Sequence, residues 1–327
     1  MAIVRAIMVL HILAVLGPIF LLIAAGRILR WAGVISEAGA ADLAKVLYWF
    51  ALPVQLIVLG ASVDVAAHAD IRLILAVVAA FAASLALGWW LSRGMDPAAR
   101  GSALSSAVRA NGAFVALPMV ELAAAQLPTA DGAALRAAFA VLLAPSVIMF
   151  NIGSVMALRL PHHGLTRAGM MQAVDEIWRN PLIIACLIGL ALGAYRPGLL
   201  AGTIIGSGLN MAAGAAIPLA LLLAGFGLSG EGLRGRAGIL TAITIAKLVV
   251  VPGLTWLAGW ALGCPPAAVA AAVFLMAAPT AMASVPMARL LGGDVPLAVA
   301  GITATTIGAV FSLAGWLVAM GWWMARG

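Results

Sequence analysis

Charged side chains are scarce in this sequence. Asp, Glu, Lys and Arg together make up 9% of the 327 residues, whereas 65% of the residues are hydrophobic. A soluble domain carries about 25% charged residues, and no polar stretch here reaches the roughly 50 residues of a small domain. The scarcity of charge therefore excludes a soluble protein and indicates a chain whose surface faces hydrocarbon.

Acidic residues are rarer than basic ones, and none lies at the middle of a long apolar run. The chain has 11 Asp and Glu against 18 Lys and Arg. It shows no paired carboxylates, no His/Glu metal motif and no nucleophile beside a base, so we expect no enzyme, no metal site and no cofactor. The two cysteines, Cys186 and Cys264, lack metal-ligand spacing. The basic residues are scattered between apolar runs, which argues for lipid neighbours and against a nucleic-acid partner.

The apolar runs predict an all-α integral membrane protein with ten transmembrane helices. A membrane helix needs about 20 mostly apolar residues. The first run is too long for a cleaved signal peptide, so we expect it to be a membrane helix. Cys264-Pro265-Pro266 divides the longest run. The predicted helices, numbered 1 to 10, span 6–29, 42–62, 71–92, 101–126, 136–158, 180–195, 200–226, 236–262, 267–290 and 296–323.

The two halves of the chain echo one another. The matching pairs are Pro18/Gly26 with Pro181/Gly189, Pro53/Gly60 with Pro218/Gly225, and Asn111/Pro118 with Pro279/Pro286, at offsets of 163, 165 and 168 residues. Each repeat would span five helices, and an odd number places the second repeat in the membrane upside down. We therefore predict a first repeat over 1–158, a cytoplasmic linker over 159–179 and a second repeat over 180–327.

The distribution of basic residues predicts the orientation. Eleven Lys and Arg residues flank one set of helix ends and five flank the other. The positive-inside rule places the richer set in the cytoplasm. We expect a multi-pass protein of the cell (inner) membrane with both termini outside, and a short interfacial helix over 168–174 within the linker.

Two segments look broken at membrane depth. Residues 109–118 hold Asn111, Gly112 and Pro118, and residues 277–286 hold Pro279 and Pro286. Proline removes a backbone hydrogen-bond donor. Non-helical backbone at membrane depth is tolerated only where it is buried in protein or lines a water-filled cavity. The start of a half-helix there would attract an anion.

Two basic residues lie inside apolar runs, where a charged side chain is energetically unfavourable. Arg109 is about eight residues into predicted helix 4 and can snorkel to the interface, whereas Lys247 lies deeper in predicted helix 8. A central Arg or Lys costs about 2.5–3.5 kcal/mol on insertion scales. With no acid at the same depth, the counter-ion that we expect is the substrate. Gln55, two residues after Pro53, is a further candidate for the cavity.

These motifs resemble the auxin efflux carrier family, which includes plant PIN proteins and bacterial malonate-type permeases. The resemblance covers essentially the whole chain. The residues that carry it are Pro18 with Gly26-Arg27, Phe50-Ala51-Leu52-Pro53, Asn111-Gly112 to Leu117-Pro118, Asn180-Pro181-Leu182, Ile217-Pro218-Leu219-Ala220-Leu221 and Ala278-Pro279-Thr280-Ala281.

The resemblance implies a fold similar to that of bile-acid symporters. Two inverted five-helix repeats would place broken helices 4 and 9 across one another at mid-membrane. Helices 1, 2, 6 and 7 would form a scaffold, and the other helices would form a mobile domain that moves like an elevator. A homodimer would form through helices 2 and 7. The resemblance also implies that organic acids bind beside Asn111.

The sequence therefore predicts a secondary transporter for a small organic anion, such as a malonate-like carboxylate or an auxin-like acid. The predicted substrate-binding residues are Arg109, Asn111, Gly112, Lys247, Pro279, Thr280, Ser284 and Gln55, and the predicted structural crossover residues are Pro118 and Pro286. Coupling to sodium or to protons stays open. The alternatives are a sodium- or proton-coupled carrier of an uncharged or sterol-like substrate, with Lys247 replacing a cation, and a passive channel.

Overall fold

Helices make up most of the chain that the structure describes. The computed structural model describes residues 2–163, 179, 181–230 and 232–325. Among these residues the helices are α1 (Ala2–Trp31), α2 (Glu37–Val46), α3 (Leu52–Ala61), α4 (Val65–His68), α5 (Ile71–Leu91), α6 (Pro97–Val108), α7 (Leu117–Ala125), α8 (Thr129–His163), α9 (Pro181–Tyr195), α10 (Ile204–Ala213), α11 (Ala216–Phe226), α12 (Ala237–Ile245), α13 (Val251–Ala261), α14 (Pro266–Ala277), α15 (Ser284–Leu290) and α16 (Val295–Met324). The helical fraction is 81%, and these residues form no strand.

Several of these helices are long and apolar enough to cross a membrane. Six spans meet that test by length and composition, and a seventh does if the two parts of α8, which meet at a bend of 40° near Pro145, count as one. Three further apolar helices are shorter, namely Gly112–Ala125, Pro181–Tyr195 and Pro266–Ala277. The protein is therefore a multi-pass membrane protein. The prediction of ten spans in two inverted repeats stays a prediction.

Most predicted helix ends lie within a few residues of the observed ones, and the main differences concern predicted helices 5 and 7. Predicted helix 5 begins at Thr129 and not at 136, and it continues to His163, into the segment assigned to the linker. Predicted helix 7 begins at Ile204 and is interrupted at 214–215 between α10 and α11. The interfacial helix predicted over 168–174 lies outside the described residues.

The acidic residues explain where several helices begin. Asp64, Asp70, Asp96 and Asp294 each precede a helix and accept a hydrogen bond from a backbone N–H of its first turn. Such N-caps satisfy donors that a helix start leaves open. Asp70 also forms an ion pair with Arg72 at 2.8 Å, and the Arg72 guanidinium holds the pKa of that carboxyl below its usual value. These four acids thus serve helix starts.

Two pairs of helices pack closely through glycine. α1 crosses α11 where Gly26 lies against the Leu222 backbone and Gly225 lies against the Ile23 backbone. A Cβ atom at either glycine would overlap a carbonyl oxygen, so only glycine permits this approach.

The second pair is α3 with α9, where Gly60 and Gly189 meet backbone to backbone. Gly26 and Gly189 are equivalent in the repeat proposed from the sequence, as are Gly60 and Gly225. The two close crossings therefore use equivalent positions of the two halves.

Three helices widen into a π-helical turn just before a proline. These turns cover Leu47–Ala51, Gly112–Ala116 and Ala246–Val250, and each ends two residues before Pro53, Pro118 or Pro252. A proline clashes with the carbonyl four residues earlier, which here lies inside the wide turn. The extra residue in the turn relieves that clash, and such turns occur often at functional sites.

A candidate substrate site where two broken helices cross

The first break separates α6 from the helical segment that begins at Gly112. α6 ends at Val108, and Arg109 takes an extended conformation with φ −85° and ψ 104°. Asn111 then caps the next segment, since its Oδ1 accepts a 3.3 Å hydrogen bond from the Phe114 N–H. The interruption predicted at Asn111-Gly112 is therefore present.

The second break separates α14 from α15. α14 ends at Ala277, Ala278 is extended with φ −61° and ψ 141°, and helical structure resumes at Ser284. Pro279 lies just after the start of this break. Both breaks therefore fall where the sequence places proline or glycine inside an apolar run.

The two breaks meet and pair as a short antiparallel bridge between Ala110 and Thr280. The Asn111 N–H donates to the Pro279 carbonyl at 2.8 Å, and the Ala281 N–H donates to the Arg109 carbonyl at 3.1 Å. An unpaired backbone group costs several kcal/mol in hydrocarbon. Each break therefore supplies the partners that the other needs.

Thr280 joins the crossing to two other helices. Its backbone N–H donates to Thr305 Oγ1 of α16 at 3.0 Å, and its own hydroxyl donates to the Ser106 carbonyl of α6 at 2.7 Å. The Thr305 hydroxyl in turn donates to the Gly301 carbonyl at 2.7 Å. The hydroxyl proton of Thr280 is thus engaged, which leaves its oxygen as an acceptor. We predicted Thr280 as a hydrogen-bonding residue, whereas nothing in the sequence indicated Thr305.

Asn111 and Gly112 lie at the start of the second half of the broken helix. Asn111 is 4% exposed, and among the described residues its Nδ2 donates to no other group. Gly112 is wedged between Leu275 of α14 and Leu143 of α8, where a Cβ atom would be crowded. Pro118 is buried beyond the wide turn that follows. Asn111 therefore has an amide donor to offer in the centre of the helical bundle.

Arg109 brings positive charge to the same crossing. Its side chain is half-buried, and Nη1 donates to the thioether sulfur of Met287 on α15. The residue belongs to the break itself, because its carbonyl accepts from Ala281. Since the guanidinium stays protonated at any physiological pH, this charge is permanent.

The remaining predicted residues to place, Ser284, Pro286 and Gln55, differ in burial and in position. Ser284 begins α15 and is fully buried, and its hydroxyl has no partner in the described part of the chain. Pro286 is exposed on the same helix. Gln55 is half-buried on α3, whose main neighbours are α9 and α10. The crossing therefore assembles Arg109, Asn111, Gly112, Pro279 and Thr280, with Ser284 next to it in the chain.

Lys247 lies apart from the crossing, in the wide turn between α12 and α13. The residue is 0% exposed, and Nζ has no hydrogen-bond partner among residues that the structure describes. The ring of Phe150 faces the amine, with its centroid 5.9 Å from Nζ. A cation–π contact contributes about 2 kcal/mol when desolvated, whereas burying an ammonium ion costs several kcal/mol. The cation–π contact alone therefore does not offset the cost of burying a charge at this position.

Trp316 supports the turn that contains Lys247. Like Thr305, it was not indicated by the sequence. The indole Nε1 of Trp316 on α16 donates to the Leu248 carbonyl at 2.8 Å. Leu248 is four residues before Pro252, which has no N–H to give to that carbonyl. Long-range pairs of this kind leave no local pattern in a sequence.

The crossing is closed in this conformation, because Asn111 and Thr280 are both buried. A recess of about 450 Å³ opens elsewhere, where the end of α5 faces the start of α12. Arg236 lines that recess, but Asp294 already pairs with it at 2.7 Å. Access to the crossing therefore requires a movement of the surrounding helices.

Apolar helices broken at membrane depth, with buried polar and cationic side chains at the breaks, are typical of membrane transporters. A family model for membrane transport proteins matches residues 165–317. This is the auxin efflux carrier family, so the match confirms the resemblance over the second half of the chain. The match indicates a membrane transport protein. No curated protein matches the sequence.

Proposed function

We propose that this protein is a secondary transporter that carries a small organic anion across the cell (inner) membrane. The observation that carries the proposal is the crossing itself, where the amide of Asn111 and the guanidinium of Arg109 belong to one pair of backbone breaks. A carboxylate accepts hydrogen bonds from both kinds of donor, and a cationic donor roughly doubles their strength. A malonate-like carboxylate or an auxin-like acid has the required chemistry.

The topology that we infer is ten helices in two inverted repeats. The long spans, bent α8 and the three shorter apolar helices together number ten. The equivalent glycine crossings of α1 with α11 and of α3 with α9 support the repeat. Both termini would lie outside, as the basic residues indicate.

An elevator-type movement suits this packing. One group consists of the helices joined through glycine, which are α1, α3, α9 and α11, together with α2 and α10. The crossing belongs to a second group, which consists of α5 to α8 and α12 to α16. The first group would be the scaffold and would also supply the contacts of a homodimer. The second group would move the closed crossing from one face of the membrane to the other.

The test is counterflow in proteoliposomes that contain unlabelled carboxylates, with labelled malonate outside. We expect labelled malonate to accumulate only when certain acids are inside. Asn111→Ala should reduce this uptake at least tenfold, because an amide hydrogen bond to a charged group contributes about 1.5–3 kcal/mol.

Asn210→Ala is the matched control, since among the described residues the Asn210 side chain bonds only to the Gly206 carbonyl of its own helix, at 2.8 Å. Uptake by Asn111→Ala equal to that of the control would remove the crossing as the binding site.

The alternative is a sodium- or proton-coupled carrier of an uncharged or sterol-like substrate. The apolar surroundings of Lys247 favour it, because a lysine there could replace a bound cation. A binding assay separates the two proposals, since carboxylates would compete for the site only in the first case. Absence of counterflow with every acid, in well-folded protein, would favour the second proposal or a channel.

A further inference from the structure

Lys247 and the crossing contact the same helix at two separate places. Gly112 lies against Leu143 of α8, whereas the Lys247 amine faces Phe150 of α8. Seven residues of α8 separate these contacts, and the bend near Pro145 lies between them. The amine is therefore placed at a second position of the same helical group.

The helices described around the Lys247 turn carry no charge that would compensate an ammonium there. The turn packs against α5, α6, α14 and α16, and Phe150 belongs to α8. On these elements the charged and titratable residues lie towards the ends, and they are Arg72, Arg100, Asp131, Arg136, Arg159, His162 and His163. Arg109 directly follows α6 in the chain. An ammonium at Lys247 would thus face no anion within the described residues.

Three uncharged hydroxyl groups lie on the helix of the turn or on a helix that packs against it. Thr244 lies three residues before Lys247, and Ser105 and Ser106 lie on α6, which packs against the turn. Their hydroxyls are buried and have no hydrogen-bond partner in the ranges that the structure describes. Hydroxyl groups both donate and accept, so each has hydrogen-bonding capacity that these ranges leave unused.

We propose that Lys247 takes up one proton when an organic anion binds at the crossing and returns it when the anion leaves. The inference rests on the proposed function. The amine lone pair accepts a proton that hydronium of the aqueous phase gives up as it becomes water, so the amine becomes an ammonium and the anion at the crossing supplies the missing opposite charge. Opposite charges that are not in contact still interact inside a protein, where the effective dielectric is far below that of water. Each anion therefore crosses the membrane with one proton.

The first experiment uses wild-type protein in proteoliposomes, with labelled malonate outside and the interior one pH unit more alkaline than the exterior. Valinomycin and equal potassium concentrations hold the membrane voltage at zero. Coupling to one proton gives about tenfold accumulation at equilibrium, because one pH unit is a tenfold ratio of proton activity. Equal concentrations inside and outside would overturn the inference.

Counterflow in the same vesicles distinguishes the two failures. Malonate counterflow without accumulation driven by the pH gradient leaves the proposed function intact and overturns only proton coupling. Absence of both means that the anion proposal itself has failed.

Substitutions of Lys247 then test whether this residue carries the proton. Arg keeps a permanent charge and cannot release a proton, and Gln cannot take one up. Lys247→Arg and Lys247→Gln should both lose the tenfold accumulation. Lys45→Gln is the matched control, because Lys45 is exposed and pairs with Asp42 at 2.8 Å. Full accumulation by either Lys247 variant would overturn the assignment.

A binding measurement tests the same inference in variants that do not transport malonate. Malonate is added to purified protein in weakly buffered detergent solution with a pH-indicator dye. Wild-type protein should take up one proton for each anion bound, and folded Lys247→Gln should take up none. Anion binding to wild-type protein without proton uptake would contradict the inference.

Discussion

Trp316 donates a hydrogen bond to the π-helical turn that contains Lys247. Its indole N–H donates to the Leu248 carbonyl, one residue after the buried lysine, and so replaces the donor that Pro252 lacks. The carbonyl would otherwise be unpaired within the bundle. The wide turn is therefore a stable local structure, supported from α16.

Trp316→Phe should destabilise the protein by about 1–3 kcal/mol, since it leaves a buried carbonyl without a partner. Trp323→Phe is the matched control. Both indoles stack against Trp256, but Trp323 Nε1 has no hydrogen-bond partner within the described ranges. Thermal unfolding in detergent should therefore show a clear loss for Trp316→Phe and little change for the control. Equal losses would mean that ring packing, and not the hydrogen bond, matters.

Gly225→Ala should loosen the contact between α1 and α11. The new Cβ would overlap the Ile23 carbonyl oxygen, so the helices must separate, at a cost of about 1–3 kcal/mol or more. Gly17→Ala, where a Cβ would meet no atom within 4 Å, should instead stabilise α1 by roughly 0.5–1 kcal/mol. Unfolding curves of the two variants should shift in opposite directions. A stabilised Gly225→Ala would contradict the close crossing.

Thr305→Val should weaken the crossing, because it removes the hydroxyl of α16 that accepts from Thr280. The Thr280 N–H would lose its acceptor in a fully buried position, which costs about 1–3 kcal/mol. Thr305→Ser keeps the hydroxyl and should restore both stability and malonate counterflow. Normal stability of the valine variant would show that Thr280 finds another acceptor.

Ala110→Cys with Thr280→Cys should form a disulfide in a background that lacks Cys186 and Cys264. Facing residues of an antiparallel pair have Cα atoms about 4.5–5.5 Å apart, which suits a disulfide. Ala103→Cys with Thr280→Cys is the negative control, because Ala103 lies two turns back along α6. Oxidation followed by mass spectrometry of digested protein would detect the link, and a link in the control alone would refute the observed register.

The sequence was informative wherever one residue constrains the backbone by itself. Proline and glycine marked both breaks, and the Cys264-Pro265-Pro266 turn indeed separates α13 from α14. Lys247 could be recognised as deeply buried because apolar residues surround it on both sides in the chain. These predictions depend on local chemistry, which a single sequence records.

Partners from distant helices could not be predicted. Thr305 accepts from Thr280 and Trp316 donates to Leu248 across 25 and 68 residues. Such pairs depend on how helices pack, and polar side chains on α16 have no local feature that marks them. The start of α8 at Thr129 was also missed, because its first turn contains Asp131 and Gly132, which are poor signals of an apolar span.

The wide turns before proline also shift the phase of each helix. In a regular α-helix each residue advances the side-chain direction by about 100°, so one additional residue in a turn rotates everything beyond it by that angle. A helical wheel fitted to Ala237–Ile245 therefore misplaces the side chains of Val251–Ala261. Labelling experiments that map lipid-facing positions along this span should be interpreted as two separate periodic patterns, with the change of phase at Lys247.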